Sequence, residues 1–281
     1  FILFQENNKC LKNIFYIYFV IKYNQLMENI AIITGGDSEE KHISLKSGNT
    51  IYKHIDKARY KPYKILCLNK TNFEVILKPK NIKIDNTDFS FMSKNKKITF
   101  KKAFIMIHGN PGENGELCSY FKSKNIAYTS SNKKASRLTF NKFQCNKYLK
   151  KNGYIVPDAK IFNEKQKVNF PCIVKPSCSG SSFGISKVYN NYELNIAVKK
   201  AKKHGKEVII EKFIKGREVT CAVFNFYNQI ETLPITEIIS QNDIFDYDAK
   251  YLGKSIEETP AKIKHTLEKE INKISKNIYK K

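Results

Sequence analysis

With 281 residues, 41% of them hydrophobic, the chain is long enough to bury a real core, as one large domain or two to three smaller ones. A formal charge of +24 raises nucleic-acid binding, but only Arg59, Arg137 and Arg217 among its fifty basic residues carry the planar fork that grips phosphates and base edges bidentately. The lysine excess is spread along the chain with much Asn and Ile, as an AT-rich genome produces, so no specific nucleic-acid partner is expected.

Met27 directly precedes a strand-like run, and residues 1–26 are expected to lie upstream of the true start. The apolar run at 14–21 is far short of the ~20 residues a membrane span needs, and no small-residue cleavage site follows it. No membrane partner is expected. Seven cysteines (Cys10, Cys67, Cys118, Cys145, Cys172, Cys178, Cys221) include no CxxC pair and no histidine at ligand spacing. That argues against structural zinc and a disulfide framework, and suits a reducing cytoplasm.

Residues 29–34 form an apolar run closed by Gly35-Gly36, after which Asp37 or Ser38 is placed to cap a helix towards Lys57. Further strands are predicted at 62–68 and 103–107, giving an α/β layer with parallel strands. Helical spacing runs over 138–151 and ends at Gly153, before a strand-like stretch at 154–162 that contains Pro157. A second module is expected from there, with strands at 171–175, 184–188 and 207–213 and a lysine-rich helix over 192–203. Strands at 217–226 and 231–239, a loop, and a helix from Ala261 onward complete the reading.

Several loops carry chemistry. Gly35-Gly36-Asp37-Ser38 is either an anion-holding turn or an ordinary tight βα turn, and Glu39 and Glu40 in the expected first helical turn suit the helix dipole. The stretch from His108 to Leu117 places a histidine, a proline and three glycines at a strand's carboxyl end, where open α/β sheets bind ligands. Lys175-Pro176 closes a strand before Ser177-Cys178-Ser179-Gly180-Ser181-Ser182-Phe183-Gly184. An ammonium and loop amides so placed can pin a polyphosphate from two sides, although the lysine precedes the glycines and the loop is not of the Walker kind. Glu211-Lys212-Phe213-Ile214, with Gly216 and Glu218 beyond, is a turning strand edge whose main chain can hold a purine while a carboxylate accepts from ribose. Asp246 to Tyr251 clusters aromatics with a lysine.

Taken in order, these stretches resemble the D-alanine:D-alanine ligases. The likeness runs through 28–36 with Ser38, Glu40, Ser44, Ser47 and Gly48, then 108–117, Tyr128 to Ser131 with Ala135-Ser136, Lys175-Pro176 with Gly180-Ser181-Ser182 and Gly184, Glu211 to Glu218, and Tyr247 to Leu252 with Pro260-Ala261. It implies an α/β and α+β fold: a Rossmann-like N-terminal domain (27–130), then a two-part ATP-grasp fold with a central subdomain (131–214) and an incomplete C-terminal one (215–281). The implied activity is ATP-dependent ligation of D-alanine with ATP and Mg2+ (or Mn2+), in a cytoplasmic homodimer.

By the same resemblance, Lys142 and Lys175 are phosphate lysines and Ser181 lies in the phosphate loop. Glu211 faces the adenine amino group, Lys212, Phe213 and Ile214 form the base-reading hinge, and Glu218 binds ribose. Lys250 reaches the transferred phosphate from a mobile loop. Glu40 holds the amino group of the first D-alanine in a trio with Ser181 and Tyr251, and His108 lies near that substrate's carboxylate. Two departures stand out, Ser179 where the family is usually acidic and Phe245 where it is usually tyrosine. The family's metal-binding Asp, Glu and Asn and its tetrahedral-intermediate arginine are expected beyond Lys281, so no metal ligand is assigned and the 281-residue chain alone is expected to be inactive. A D-alanine:D-lactate ligase and a noncatalytic remnant are the alternative readings.

Overall fold

The structure, a computed structural model, describes residues 27–240 and 255–281. It contains two compact units, divided between Leu138 and Thr139.

In the first unit, β1 (Glu28–Gly35) is the central strand. Its apolar run is continuous because both faces are covered, and every residue from Ile30 onward is buried. Helix α1 (Lys41–His54) follows, then β2 (Tyr60–Asn69), β3 (Asn72–Val75), β4 (Ile82–Lys83), the hairpin β5 (Phe91–Ser93) and β6 (Lys96–Ile98), β7 (Lys102–Ile105), α2 (Glu116–Ser123) and β8 (Ala127–Tyr128). The main sheet runs β4-β3-β2-β1-β7-β8. Parallel pairing puts Ile30 beside Pro62 on one side and Lys102 on the other, so β1 and β7 end together and the loops after them meet. The expected parallel layer is present; the antiparallel strands β3 and β4 are additions beyond β2, and β3 alternates half-buried Asn72 and Glu74 with buried Phe73 and Val75. Phe73, Phe89 and Phe121 fill the core beneath in edge-to-face contacts, with Phe89 centred 5.3 Å from Phe73 and 5.1 Å from Phe121.

Two local expectations for this unit change. The N-cap of α1 is Glu40, not Asp37 or Ser38, and the first turn contains no acidic residue. The Ser38 hydroxyl instead serves a turn ahead of the helix, accepting from the Glu40 N–H and donating to the His108 carbonyl. The dipole account of Glu39 and Glu40 therefore gives way to a buried Glu40 at the helix entrance.

The helix expected at 138–151 is two, α3 (Lys133–Phe140) and α4 (Lys142–Lys151). Asn141 lies between them with extended backbone, and its side chain accepts from the Gln144 N–H at 2.9 Å, a cap that starts a new helix. Asn152 caps the end of α4 and Gly153 follows at φ +83°, the left-handed step that closes many helices.

The second unit holds β9 (Ala159–Ile161), β10 (Cys172–Pro176), β11 (Ser186–Val188), α5 (Asn191–Lys202) and β12 (Val208–Lys212), in an antiparallel sheet ordered β11-β10-β12-β9. Cys172, Val174, Val188, Val208 and Ile210 pack with Leu194, Ala197, Val198 and Ala201 of α5. The period of two turns Ile173, Lys175, Ile209 and Glu211 to the opposite face. The strand predicted over 154–162 shortens to β9, since Pro157 has no N–H to give a ladder.

Beyond lie β13 (Glu218–Thr220), β14 (Val223–Phe226), β15 (Gln229–Thr232), β16 (Thr236–Ser240), β17 (Ser255–Glu258) and α6 (His265–Tyr279). The predicted strands at 217–226 and 231–239 are each broken in two. Tyr227 and Asn228, both at positive φ, make the tight hairpin turn joining β14 to β15, while β13, β16 and β17 form a separate sheet. Helix α6 starts later than Ala261 because the Ala261 N–H is held by the Ile235 carbonyl, keeping that stretch extended. Among the described residues no helix is long and apolar enough to cross a membrane.

Candidate active site

At the carboxyl ends of β1 and β7, the first unit builds a small polar site from neutral groups. Ser44, fully buried on α1, accepts from the Gly35 N–H at 2.9 Å and donates to the Met106 carbonyl at 2.7 Å, tying the two strand ends together. Ser38 donates to the His108 carbonyl at 2.7 Å and accepts from the Glu40 N–H at 3.3 Å. The Ser47 hydroxyl lies 3.3 Å from Nε2 of His108. Glu113 accepts from the Gly109 N–H at 3.0 Å, closing the loop on itself.

Gly109 has φ +71°, and a Cβ there would sit 2.9 Å from Ser38 Cβ and 3.2 Å from Oε2 of Glu40. Only glycine permits so close an approach in that conformation. Glu40 and His108, predicted from stretches far apart in sequence, are thereby brought to one place, with the Glu40 side chain buried against the loop.

The second unit builds its site from charge. Nζ of Lys175 lies 2.6 Å from Oε2 of Glu211, with 19% and 7% of the two side chains exposed. The other carboxylate oxygen of Glu211 accepts from Nδ2 of Asn146 on α4 at 2.9 Å. Lys142, first residue of α4, donates through its ammonium to the Ser179 carbonyl and through its backbone N–H to the Ser177 carbonyl, the latter at 2.9 Å. Ser177 in turn donates to the capping Asn141 at 3.0 Å.

Both lysines thus stand at the start of the Ser/Gly loop, Lys175 just before it and Lys142 against its Ser177 and Ser179 carbonyls. Within it Ser181 and Ser182 hold φ of +44° and +60°, a conformation that L side chains resist, and the Phe183 N–H closes a tight turn onto the Gly180 carbonyl at 3.1 Å. Phe183 stacks on His204 at 5.6 Å, anchoring the loop's far end.

At the hinge, Lys212 donates to the Asp158 carbonyl at 3.0 Å and Phe213 to the Pro171 carbonyl at 3.4 Å. The ammonium of Lys187 stands 4.0 Å from the Phe213 ring centre, and Ile214 is exposed. A pocket of about 650 Å³ opens here, lined by Phe143 and Asn146 of α4, Phe170, Lys212 and Phe213 among others; Lys175 and Glu211 are outside its lining. Glu218 is exposed on β13, next to Arg217, whose guanidinium binds Glu237 bidentately at 2.6 and 2.5 Å. That contact holds the Glu237 carboxyl below its usual range.

Of the predicted site residues, the first unit assembles Glu40 with His108, and the second assembles Lys175 with Glu211 and Lys142 with the loop of Ser181. Lys250 and Tyr251 lie outside the described residues. Ser38, Ser47, Glu113 and Asn146 join these constellations without having been assigned a role from sequence. The first two belong to the motif that carried the resemblance; Asn146 has no motif at all. Among the described residues no group of three or more His, Cys, Asp or Glu is arranged to hold a metal ion.

Comparison with known proteins agrees on one family. A model described as the D-ala D-ala ligase N-terminus matches residues 29–131, and one described as the D-ala D-ala ligase C-terminus matches residues 139–281. A D-alanine–D-alanine ligase from Phocaeicola vulgatus is 41% identical over 268 residues, covering 90% of this chain and 81% of that protein. Among solved structures, a D-Ala:D-Ser ligase from Enterococcus faecalis is similar with a TM-score of 0.75 at 26% identity, covering 90% of this chain and 82% of that one. The D-alanine–D-alanine ligase from Bacillus anthracis complexed with ATP gives a TM-score of 0.67 at 27% identity, covering 90% and 76%. With both family models matched in order and the ATP-grasp fold of the solved relatives present, this chain belongs to the D-alanine–D-alanine ligase family.

Proposed function

We propose that the protein joins two molecules of D-alanine into D-alanyl-D-alanine at the expense of ATP, supplying a precursor of peptidoglycan. The observation that carries this reading is the placement of Lys142 and Lys175 at the start of one Ser/Gly loop that goes on through two consecutive left-handed residues, Ser181 and Ser182. Such a loop offers point charges and amides to a polyphosphate.

In the first step the carboxylate of one D-alanine attacks the γ-phosphorus of ATP; the bond to the β-γ bridging oxygen breaks, leaving ADP and an acyl phosphate. The amine of the second D-alanine then adds to the acyl carbon, loses a proton, and expels inorganic phosphate as the peptide bond forms. The first step brings two anions together, so its barrier falls chiefly through charge screening, which Lys142 and Lys175 supply. Mg2+ or Mn2+ would add to that screening when bound. The described residues present no cluster that fits either ion, and none is assigned to it.

Glu211, an acceptor while ionised, suits the adenine amino group, and the main chain of Lys212, Phe213 and Ile214 suits the base edge. Glu218 is assigned to ribose. Glu40 takes the ammonium of the first D-alanine in a trio with Ser181 and Tyr251, His108 lies by its carboxylate, and Lys250 is assigned to the transferred phosphate. A cytoplasmic homodimer completes the proposal.

The test is stoichiometry. Full-length protein given ATP, magnesium and D-alanine is expected to form ADP, phosphate and dipeptide in equal amounts, with L-alanine inert. ADP release that ignores D-alanine, or no dipeptide by mass spectrometry, overturns the proposal. D-Lactate or D-serine offered as second substrate separates the dipeptide enzyme from its near chemical variants.

A further inference from the structure

Beyond the residues that touch substrate, the first unit shows how two of them are held in register. Glu40 and His108 come from different loops, and the hydroxyl of Ser38 bridges both at once, through the His108 carbonyl at 2.7 Å and the Glu40 N–H at 3.3 Å. Ser47, further along α1, meets the same histidine at its ring, 3.3 Å from Nε2. The histidine is therefore gripped at main chain and imidazole by two hydroxyls from the segment that carries Glu40. Gly109 presses the loop onto Ser38 so closely that no side chain fits between.

We propose that Ser38 and Ser47 are positioning residues that set the spacing between the ammonium-binding Glu40 and the carboxylate-side His108, and so tune recognition of the first D-alanine. The proposal rests on the reading of this unit as the D-alanine site. A free amino acid holds its ammonium and carboxylate at a fixed separation, so a site reading both must hold its own two groups at a matching one. Hydroxyls suit that task because each donates and accepts at once without adding charge beside a zwitterion. The hydroxyl of Ser44 makes equally good hydrogen bonds nearby, but to Gly35 and Met106 rather than across the Glu40–His108 gap, so it measures the stability cost of losing a buried hydroxyl.

The experiment compares Ser38→Ala, Ser47→Ala, Ser44→Ala and Glu40→Gln, measuring KM for D-alanine, KM for ATP, kcat and thermal melting. Losing one such hydrogen bond is expected to raise the KM for D-alanine about fivefold to tenfold in Ser38→Ala, and by a smaller factor in Ser47→Ala, with the KM for ATP unchanged. Ser38→Thr, which keeps the oxygen, should recover most of the loss. Ser44→Ala, which loses bonds to Gly35 and Met106 and none to Glu40 or His108, should lower the melting temperature. If Ser38→Ala fails to fold, Ser47→Ala decides, and an unchanged KM for D-alanine there overturns the proposal. A raised KM in Glu40→Gln with wild-type values in both serine variants overturns the positioning role alone, whereas an unchanged KM in Glu40→Gln brings down the D-alanine reading and the proposal together.

Discussion

The two units hold their candidate residues by opposite means. In the first, Glu40 and His108 are fixed by neutral hydroxyls and by glycines that let backbones touch. In the second, Lys175 and Glu211 are fixed by each other's charge, with Asn146 and the Ser179 carbonyl as neutral partners to Glu211 and Lys142. The ligands proposed for the two units fit the difference: a small zwitterion demands spacing, whereas a polyphosphate demands positive charge that stays put. The first unit should accordingly be sensitive to bulk and the second to the loss of an ion.

The sharpest way to break the first unit is through its packing. A Cβ on Gly48 of α1 would fall 1.9 Å from Cγ2 of Thr34 on β1, well inside contact. Gly48→Ala must push the helix off the strand and should cost on the order of 3 kcal/mol, read as a fall in the denaturant midpoint at unchanged slope. A wild-type midpoint would mean that α1 and β1 are not packed so closely.

That same contact shows what was legible in the sequence and what was not. The buried strand at 29–34, the glycine turn after it and the loop from His108 announce themselves, because a continuous apolar run needs cover on both faces and clustered glycines mark a backbone that turns sharply. The strands β3 and β4 do not: Asn72 to Val75 alternates, but over only four residues, and β4 has two. Asn141 splits a helix that spacing alone runs together, since a cap depends on one side chain folding back. The Lys175–Glu211 pair and the Ser38 bridge stayed hidden for a simpler reason. Each joins residues separated by tens of positions, and only register between strands brings them together.

The second unit should answer to charge instead. Lys175→Ala leaves Glu211 buried with Asn146 as its described partner, and is expected to cost about 2 kcal/mol of stability, somewhat less than a fully buried broken pair because the lysine keeps some exposure. Adding Glu211→Gln removes the stranded charge and should recover part of that loss, a nonadditivity of ~1 kcal/mol in a double-mutant cycle. Strict additivity would mean that the two side chains do not share a bond.

A smaller effect is expected at the start of α5, where Asn190 accepts from the Glu193 N–H at 3.0 Å and Glu193 reaches back to the Tyr189 N–H at 2.9 Å. Asn190→Ala should cost about 1 kcal/mol in chemical denaturation and leave nucleotide binding intact. Smallest of all is a pH effect at Glu237, whose carboxyl is held below its ordinary range by the Arg217 hydrogen bonds. A group depressed on folding contributes stability above its unfolded pKa and loses it as pH falls through the folded one. Wild-type protein should therefore lose more stability than Arg217→Gln on acidification below about pH 4.5, near the ordinary carboxylate range. Parallel acid titrations of the two would remove this pair from the account.

The claim at the centre, that fixed lysines of the second unit hold ATP while neutral hydroxyls of the first position Glu40 and His108 for D-alanine, is most directly tested by calorimetric titration of ATP into wild type, Lys142→Ala, Lys175→Ala and Ser38→Ala. A lost charge-assisted bond is worth ~1.5–3 kcal/mol, so either lysine variant should bind ATP at least about tenfold more weakly, while Ser38→Ala binds it as wild type does. Unchanged ATP affinity in both lysine variants, or an equal loss in Ser38→Ala, would contradict the division of labour between the two units.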